Sequence, residues 1–213
     1  MELADERGIE ALTMRNLGQA LGVEAMSLYN HVANKEDILD GVVEVVLGEV
    51  GAAAEEIEPG EWQATLRRRI LAAREVLLRH RWAPAVIESR TNMPPTGIRY
   101  VDSLLGVMRE GGFSVDLAHH AVHALGSRAF GFSQDLFVTA DDDVPPDVMA
   151  MMARQIATEH PYVAELMQVV YHDPDSALGS GCDDQFEFEF GLDLLLDGLE
   201  RLRAAEWQLP KSA

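Results

Sequence analysis

A chain of 213 residues with an apolar fraction of 47% can bury a sizeable core and form one or two domains. Its single cysteine, Cys182, excludes a disulfide framework within one chain, and no apolar run is long enough for a signal peptide or membrane helix, so a cytoplasmic location is expected. With 17 basic against 36 acidic residues the net charge is −19, which disfavours broad charge-driven binding to nucleic acid and makes the local charge of any contact surface decisive.

The first helix is expected to run to about Arg7, with Leu3 and Ala4 facing inward, before Gly8-Ile9 turns into a helix-turn-helix pattern between Leu12 and Lys35. Thr13 is a good N-cap, and Leu17, Ala20 and Leu21 then share one helical face. Gly22 supplies the left-handed residue that ends a helix, and Val23 with Leu28 returns an apolar face to the same small core. The second helix of such a pair can enter a DNA major groove with its first residues at the base edges. That assigns Ala25, Met26, Ser27, Tyr29 and Asn30 to the groove and Leu28 to the core. Asn30 can offer a donor and an acceptor to adenine, while Ala25 and Met26 suit a thymine methyl. Arg15, in the first turn of the preceding helix, can present its guanidinium fork to guanine. Tyr29, His31 and Lys35 read as the phosphate side, Lys35 beside a helix amino end whose amides favour an anion. Thr13 serves as a cap as well as any phosphate ligand, Tyr29 is also suited to partial core packing, and His31 to packing or DNA. Residues 1–50 hold three basic and ten acidic groups, a net of −7, yet between Thr13 and Lys35 the only acid is Glu24. A nearly neutral contact surface with a weak non-specific component follows.

The run Leu21-Gly22-Val23, Ser27-Leu28-Tyr29, His31-Val32 and Lys35 followed by Ile38-Leu39 resembles the DNA-binding domain of the TetR family of one-component repressors. The resemblance implies a base contact at Arg15. It also implies a longer first helix with a basic amino end, whereas only Met1 to Arg7 precede Gly8, so either the chain starts late or its natural beginning is longer.

From Glu36 to Ala54, Ile38, Leu39, Val42, Val43, Val46, Leu47 and Val50 recur at helical spacing, giving a fourth helix that connects a head (residues 1–54) to a body (residues 55–213) across the Pro59-Gly60 break. Trp62 to Arg79 is amphipathic, with Leu66, Ile70, Ala73 and Leu77 on one side. Arg67, Arg68, Arg69 and Arg74 lie across the other, read as a solvated face whose arginines find acidic partners within the chain. Trp82 to Ile87 is a short apolar piece ended by Asn92-Met93-Pro94-Pro95, and Ile98 to Glu110 is a helix closed by Gly111-Gly112. Ser114 caps a long helix reaching about Phe137, Thr139 to Asp147 is an exposed acidic loop, and two helices near Asp147–Thr158 and Pro161–Tyr171 precede a loop at His172–Asp184. Phe186 to Phe190 alternates like a strand, but Leu192, Leu195, Leu196, Leu199 and Leu202 carry a helical period through it. This last helix, with Phe186, Phe190, Gly191, Leu195, Gly198, Leu199 and Leu202 on the contact face, pairs with the helix after Ser114 in a four-helix dimer bundle, core packing within one chain being the alternative. The fold class is therefore all-α.

His119 and His123 share a helix face at a spacing that can chelate zinc, but no acid or cysteine joins them within a turn, so no metal is assigned. Ser89-Arg90, Gly112-Phe113-Ser114, Phe190-Gly191-Leu192 and Gly198-Leu199-Glu200 resemble the ligand-binding and dimerisation domain of tetracycline-repressor-like proteins. Under that resemblance Val86 stands where the metal-binding histidine is expected, which argues against a magnesium–tetracycline effector. An effector pocket is sought among Trp82, Arg90, His123, Ser127 and Phe130, which combine apolar walls with polar anchors, although each also suits the core. No nucleophile elbow, phosphate loop or placed acid pair points to catalysis or to a cofactor. The expectation is a homodimeric, effector-released repressor of a pseudo-palindromic operator. The alternative is a helical small-molecule-binding or interaction protein that has lost tight DNA binding.

Overall fold

The computed structural model describes residues 1–130, 146–170 and 184–209, and no strand occurs among them. The helices are α1 (Glu2–Arg7), α2 (Met14–Leu21), α3 (Ala25–Leu28), α4 (Lys35–Glu55), α5 (Trp62–Arg79), α6 (Ala83–Glu88), α7 (Pro95–Glu110), α8 (Val115–Phe130), α9 (Pro146–Glu159), α10 (Pro161–Val170) and α11 (Asp184–Ala204), with a 3-10 turn at Ile9–Ala11 between the first two. Their starts follow local chemistry. Thr13 Oγ1 accepts from Asn16 N at 3.2 Å, Ser114 Oγ accepts from Leu117 N at 3.1 Å, and Pro95 opens α7, where its missing N–H costs nothing. At α4, Asn34 Oδ1 accepts from Asp37 N at 3.1 Å while Asp37 Oδ2 accepts from Ala33 N at 2.8 Å, so side chains satisfy the orphan amides from both directions.

The described residues within 1–131 and 192–213 form one compact unit and those within 132–191 a second. In the first, α4 packs along α5, α7 and α6, and α7 packs on α8. Val43, Val46, Leu47 and Val50 of α4, Leu66, Ile70 and Val76 of α5, and Leu104 and Met108 of α7 are nearly or fully buried, as their helical spacing predicts. Leu192, Leu196 and Leu199 of α11 are buried as well, and Arg67 Nε donating to Asp193 Oδ1 at 2.7 Å with Gln63 Nε2 to Asp197 Oδ1 at 2.9 Å ties α11 to α5. Helix α4 takes part in two packings: its Leu39, Val43 and Leu47 meet Leu12 of the head, and it lies along α5, α6 and α7. In the second unit α9 packs on α10, and the strand-like alternation at Phe186 to Phe190 is helical, with those two rings stacked at 6.4 Å.

The expected extension of the helix after Ser114 to Phe137, most of the acidic loop and the loop containing Cys182 lie outside the described residues. Among the described residues no helix is long and apolar enough to cross a membrane.

Candidate nucleic-acid interface

The reading head is assembled around a close backbone crossing. Gly22 takes the left-handed conformation (φ +67°, ψ +30°) that reverses the chain after α2, and Val23 N then donates to Gly18 O at 2.9 Å. This brings the start of α3 onto Gly18, where an added Cβ would stand 2.8 Å from Val23 O and 3.1 Å from Ala25 N. Only a residue without a side chain lets α2 and α3 meet this closely. Asn16 Nδ2 donates to Ala11 O at 2.8 Å, anchoring α2 to the preceding 3-10 turn.

On this frame α3 is a single turn, continued by tight i to i+3 hydrogen bonds from Tyr29 N to Met26 O, Asn30 N to Ser27 O and His31 N to Leu28 O. Ser27 Oγ donates to Glu24 O at 2.7 Å. Thr13, Arg15, Met26, Tyr29, Asn30, His31 and Lys35 are exposed, and Ala25, Ser27 and Leu28 are half-buried. All nine candidate DNA contacts therefore retain accessible surface on one short stretch of chain.

Two local expectations need correction. Leu21 and Val23 do not enter the head core but are 64% and 45% exposed. The core instead gathers Leu12, Leu39, Val43, Leu47 and Val86, with Leu3, Ile9, Leu17 and Ile38 packed against it. Leu3 of α1 and Leu17 of α2 both pack against this core, while the Leu21 end of α2 faces solvent. The amino end of α4 is not an open anion site either: Glu36 and Asp37 occupy its first turn, and Asp37 already takes the Ala33 amide. Lys35 Nζ lies 3.8 Å from Glu10 Oε2, so the cation at this end is itself shared with an acid.

Side-chain links join the head to the body at three places, one of them Thr96 Oγ1 of α7 donating to Glu44 of α4, at 3.0 Å to Oε2 and 3.2 Å to the backbone O. Arg90, after α6, places Nη1 2.6 Å from Glu36 Oε2 and 3.4 Å from Asp40 Oδ1, gripping the first turns of α4, while its Nε and Nη2 donate to Ser89 Oγ. On the other side Asp5 Oδ1 of α1 accepts from Trp82 Nε1 at 2.7 Å and meets His80 Nδ1 at 2.7 Å; His80 Nε2 faces Glu49 Oε2 of α4 at 3.3 Å, and Glu49 also pairs with Arg79. Burial pushes the Asp5 carboxyl up, but the hydrogen bonds from His80 and Trp82 and the charge of His80 outweigh it and hold the group below the ordinary carboxylate value. Sequence reading missed these links. Asp5 and His80 are 75 residues apart, and nothing local marks them as partners.

The residues proposed for an effector pocket are not gathered by the structure. Trp82 is committed to Asp5, and Val86, the position aligned with the metal-binding histidine, is buried in the head core. Three clefts of 520 to 580 Å³ stand out among the described residues; Arg90 lines one of them, beside Glu36 and Asp40, and Trp82, His123 and Ser127 line none of the three. His123 and Ser127 lie exposed on α8, with Ser127 Oγ donating to His123 O, and the Phe130 side chain is outside the described set. The His119 ring stacks edge-on against His120 and His123, and no three potential metal ligands converge among the described residues. Of the proposed dimer residues, Leu199 is turned into its own core, Leu195, Gly191 and Gly198 are half-buried, and Phe186, Phe190 and Leu202 are exposed. Leu194, 55% exposed and overlooked in the sequence, belongs with the exposed set.

Comparison with known proteins places these features in a family. The family described as bacterial regulatory proteins, tetR family, matches residues 1–42, and the tetracyclin repressor-like C-terminal domain matches residues 56–203. The chain is 28% identical over 205 residues to the class G tetracycline repressor of Vibrio anguillarum, covering 96% of this chain and 91% of that one. A crystal structure of a possible TetR family transcriptional regulator from Streptomyces coelicolor A3(2) is 32% identical with a TM-score of 0.74, covering 94% of this chain and 95% of that one. The S. coelicolor TetR family protein ActR in complex with (S)-DNPA is 26% identical with a TM-score of 0.68, covering 93% and 91%. With both halves matched and the helix-turn-helix formed at residues 14–28, this chain belongs to the TetR family of bacterial transcriptional regulators.

Proposed function

We propose that the chain is a cytoplasmic homodimeric repressor whose head, residues 1–54, binds a pseudo-palindromic operator and whose body, residues 55–213, binds a small molecule that releases it. The observation that carries this reading is the accessible cluster of Arg15, Met26, Ser27 and Asn30 on a head whose α4 is gripped by the body at both Arg90 and His80. Arg15 and Asn30 are the base readers, and Thr13, Tyr29, His31 and Lys35 hold phosphates. A relative that is a tetracycline repressor and a neighbour solved with (S)-DNPA support operator release by a small molecule, without indicating which. Exposed Phe186, Phe190, Leu194 and Leu202 on α11 support the use of that helix for dimerisation, α8 lying beside its second half. An effector must favour one arrangement of the heads over the other, and the α4 links are the means of transmitting that preference.

The acids around the head, and Lys35 shared with Glu10, favour the second reading, a small-molecule-binding protein without tight DNA binding. Fluorescence anisotropy with duplexes from upstream of its own gene, at two salt concentrations, separates the two. A regulator binds one duplex selectively, with a shallow salt dependence. Equal, weak binding to all duplexes by the intact dimer overturns the repressor reading.

A further inference from the structure

The arginines after Trp62 do not share one fate. Arg67 pairs with Asp193, and Arg68 donates to the carbonyls of Ala64 and Glu58. Arg69 turns instead toward α7, where Nη1 donates to Ser103 O at 3.0 Å; among the described residues its Nε is buried without a hydrogen-bond partner and the side chain forms no ion pair. One turn earlier on the same face of α5, Thr65 is 1% exposed and its hydroxyl also has no partner among the described residues. Both residues line one cleft of about 550 Å³ between the start of α5 and the second half of α7. Buried polar groups are satisfied in the great majority of cases, and each one left unpaired costs about 1–3 kcal/mol. Two in one cleft, in a protein where acids outnumber bases two to one, single out a group that something outside the chain completes.

The cleft defines the chemistry of that partner. Arg69 Nε–H can only donate, and the Thr65 hydroxyl is free to do so, which suits one acceptor group with two oxygens. The Trp62 indole forms a wall, held edge-on to Phe113 at 4.7 Å and seated over Gly111, where a Cβ would come within 2.8 Å of the indole Cγ. Val107 adds apolar surface, and Gly106 leaves open space above its backbone. Glu61 and Glu110, both exposed, also line the cleft and disfavour a polyanion such as a phosphate.

We propose that the α5–α7 cleft binds a monocarboxylate with an aromatic body, its two carboxylate oxygens accepting from Arg69 Nε and Thr65 Oγ1 and its ring lying against Trp62. Occupancy of this site stands on the cleft alone; its use as the effector site rests on the regulatory reading, with α4 packed against both α5 and α7.

Calorimetry on the full chain with biphenyl-4-carboxylate and its neutral carboxamide tests the assignment. The carboxylate is expected to bind at least tenfold more tightly than the amide. Thr65→Val should weaken the carboxylate about fivefold to tenfold while leaving the melting temperature unchanged or raised, since an unpaired hydroxyl is removed. Arg69→Met should abolish the preference for the carboxylate. Absence of binding at millimolar concentration, equal affinity for the two compounds, or a lowered melting temperature in Thr65→Val each overturns the proposal. Repeating the titration with operator DNA present separates the two readings. Carboxylate binding that leaves DNA affinity unchanged overturns the cleft's use as the effector site and supports its ligand chemistry. Carboxylate binding by a protein that selects no duplex supports the cleft and counts against the repressor.

Discussion

Gly18→Ala tests the geometry of the reading head more sharply than any substitution on its surface. The new Cβ would lie 2.8 Å from Val23 O, about 0.6 Å short of ordinary contact, and 3.1 Å from both the N and Cα of Ala25. Every obstacle is backbone, so no side chain can swing aside and the start of α3 must move as a piece. Overpacking of this size costs roughly 1–3 kcal/mol. Alanine returns about 1 kcal/mol through its better helix propensity, leaving a net local destabilisation of about 0–2 kcal/mol. The same exchange at Gly41 or Gly51 on α4, where a Cβ meets nothing within 4 Å, carries only the gain and should stabilise by up to about 1 kcal/mol. Hydrogen exchange resolves the two effects: amides of α2 and α3 should exchange up to about thirtyfold faster in Gly18→Ala, with those of α5 and α7 unchanged. Operator affinity should fall in parallel, because a shift of half an ångström displaces Met26, Ser27 and Asn30 together. If Gly18→Ala leaves α2 and α3 protection and operator affinity as they are, the close crossing is not what positions α3.

Three further outcomes are expected. Arg15→Ala should weaken operator binding by about 1–3 kcal/mol and relax preference at one base pair, whereas Lys35→Ala should weaken all sequences alike; loss of affinity in both with preference intact would contradict the division of roles. The Asp5 carboxyl titrates lower in the folded chain than its ordinary value of 3.8, so its contribution to stability is complete above that value and is lost as pH falls through the folded one. The gap in melting temperature between wild type and Asp5→Asn should therefore persist from pH 7 to pH 5 and narrow below pH 4, and a gap independent of pH refutes the pairing with His80. Arg90→Met removes the grip on Glu36 and Asp40 and should leave ligand affinity intact while reducing its effect on DNA binding, measured as the ratio of operator affinities with and without ligand.

Periodic burial was the legible part of this fold. Leu66, Ile70, Ala73 and Leu77 repeat strictly enough to define α5 at both ends, and the leucines from Leu192 onward outweigh the alternation of Phe186 to Phe190. Caps were partly legible: Thr13 and Ser114 act as read, while the start of α4 moves back to Lys35 because Asn34 and Asp37 cap each other's turn. Burial in the head was misjudged at Leu21 and Val23, since an apolar face in sequence is buried only if another element reaches it. Gly18 carried a usable signal, a glycine in the middle of a short helix, where its entropic cost asks for a packing reason. The Arg90 and His80 links carried none, because their partners lie 31 to 77 residues away and charged residues are too common to pair by inspection.

The pairing of Lys35 with Glu10 bears on how such a molecule searches a chromosome. A phosphate that engages Lys35 displaces a carboxylate already there, so the contact frees fewer condensed ions than a bare lysine would. If Lys35 holds a phosphate as proposed, this contact would add less to the dwell time on arbitrary sequence, favouring detachment and fresh collision over long sliding. With a net charge of −19, a head of this kind would leave less of the protein on bulk DNA than a strongly basic one, and operator occupancy would follow the number of molecules in the cell more directly.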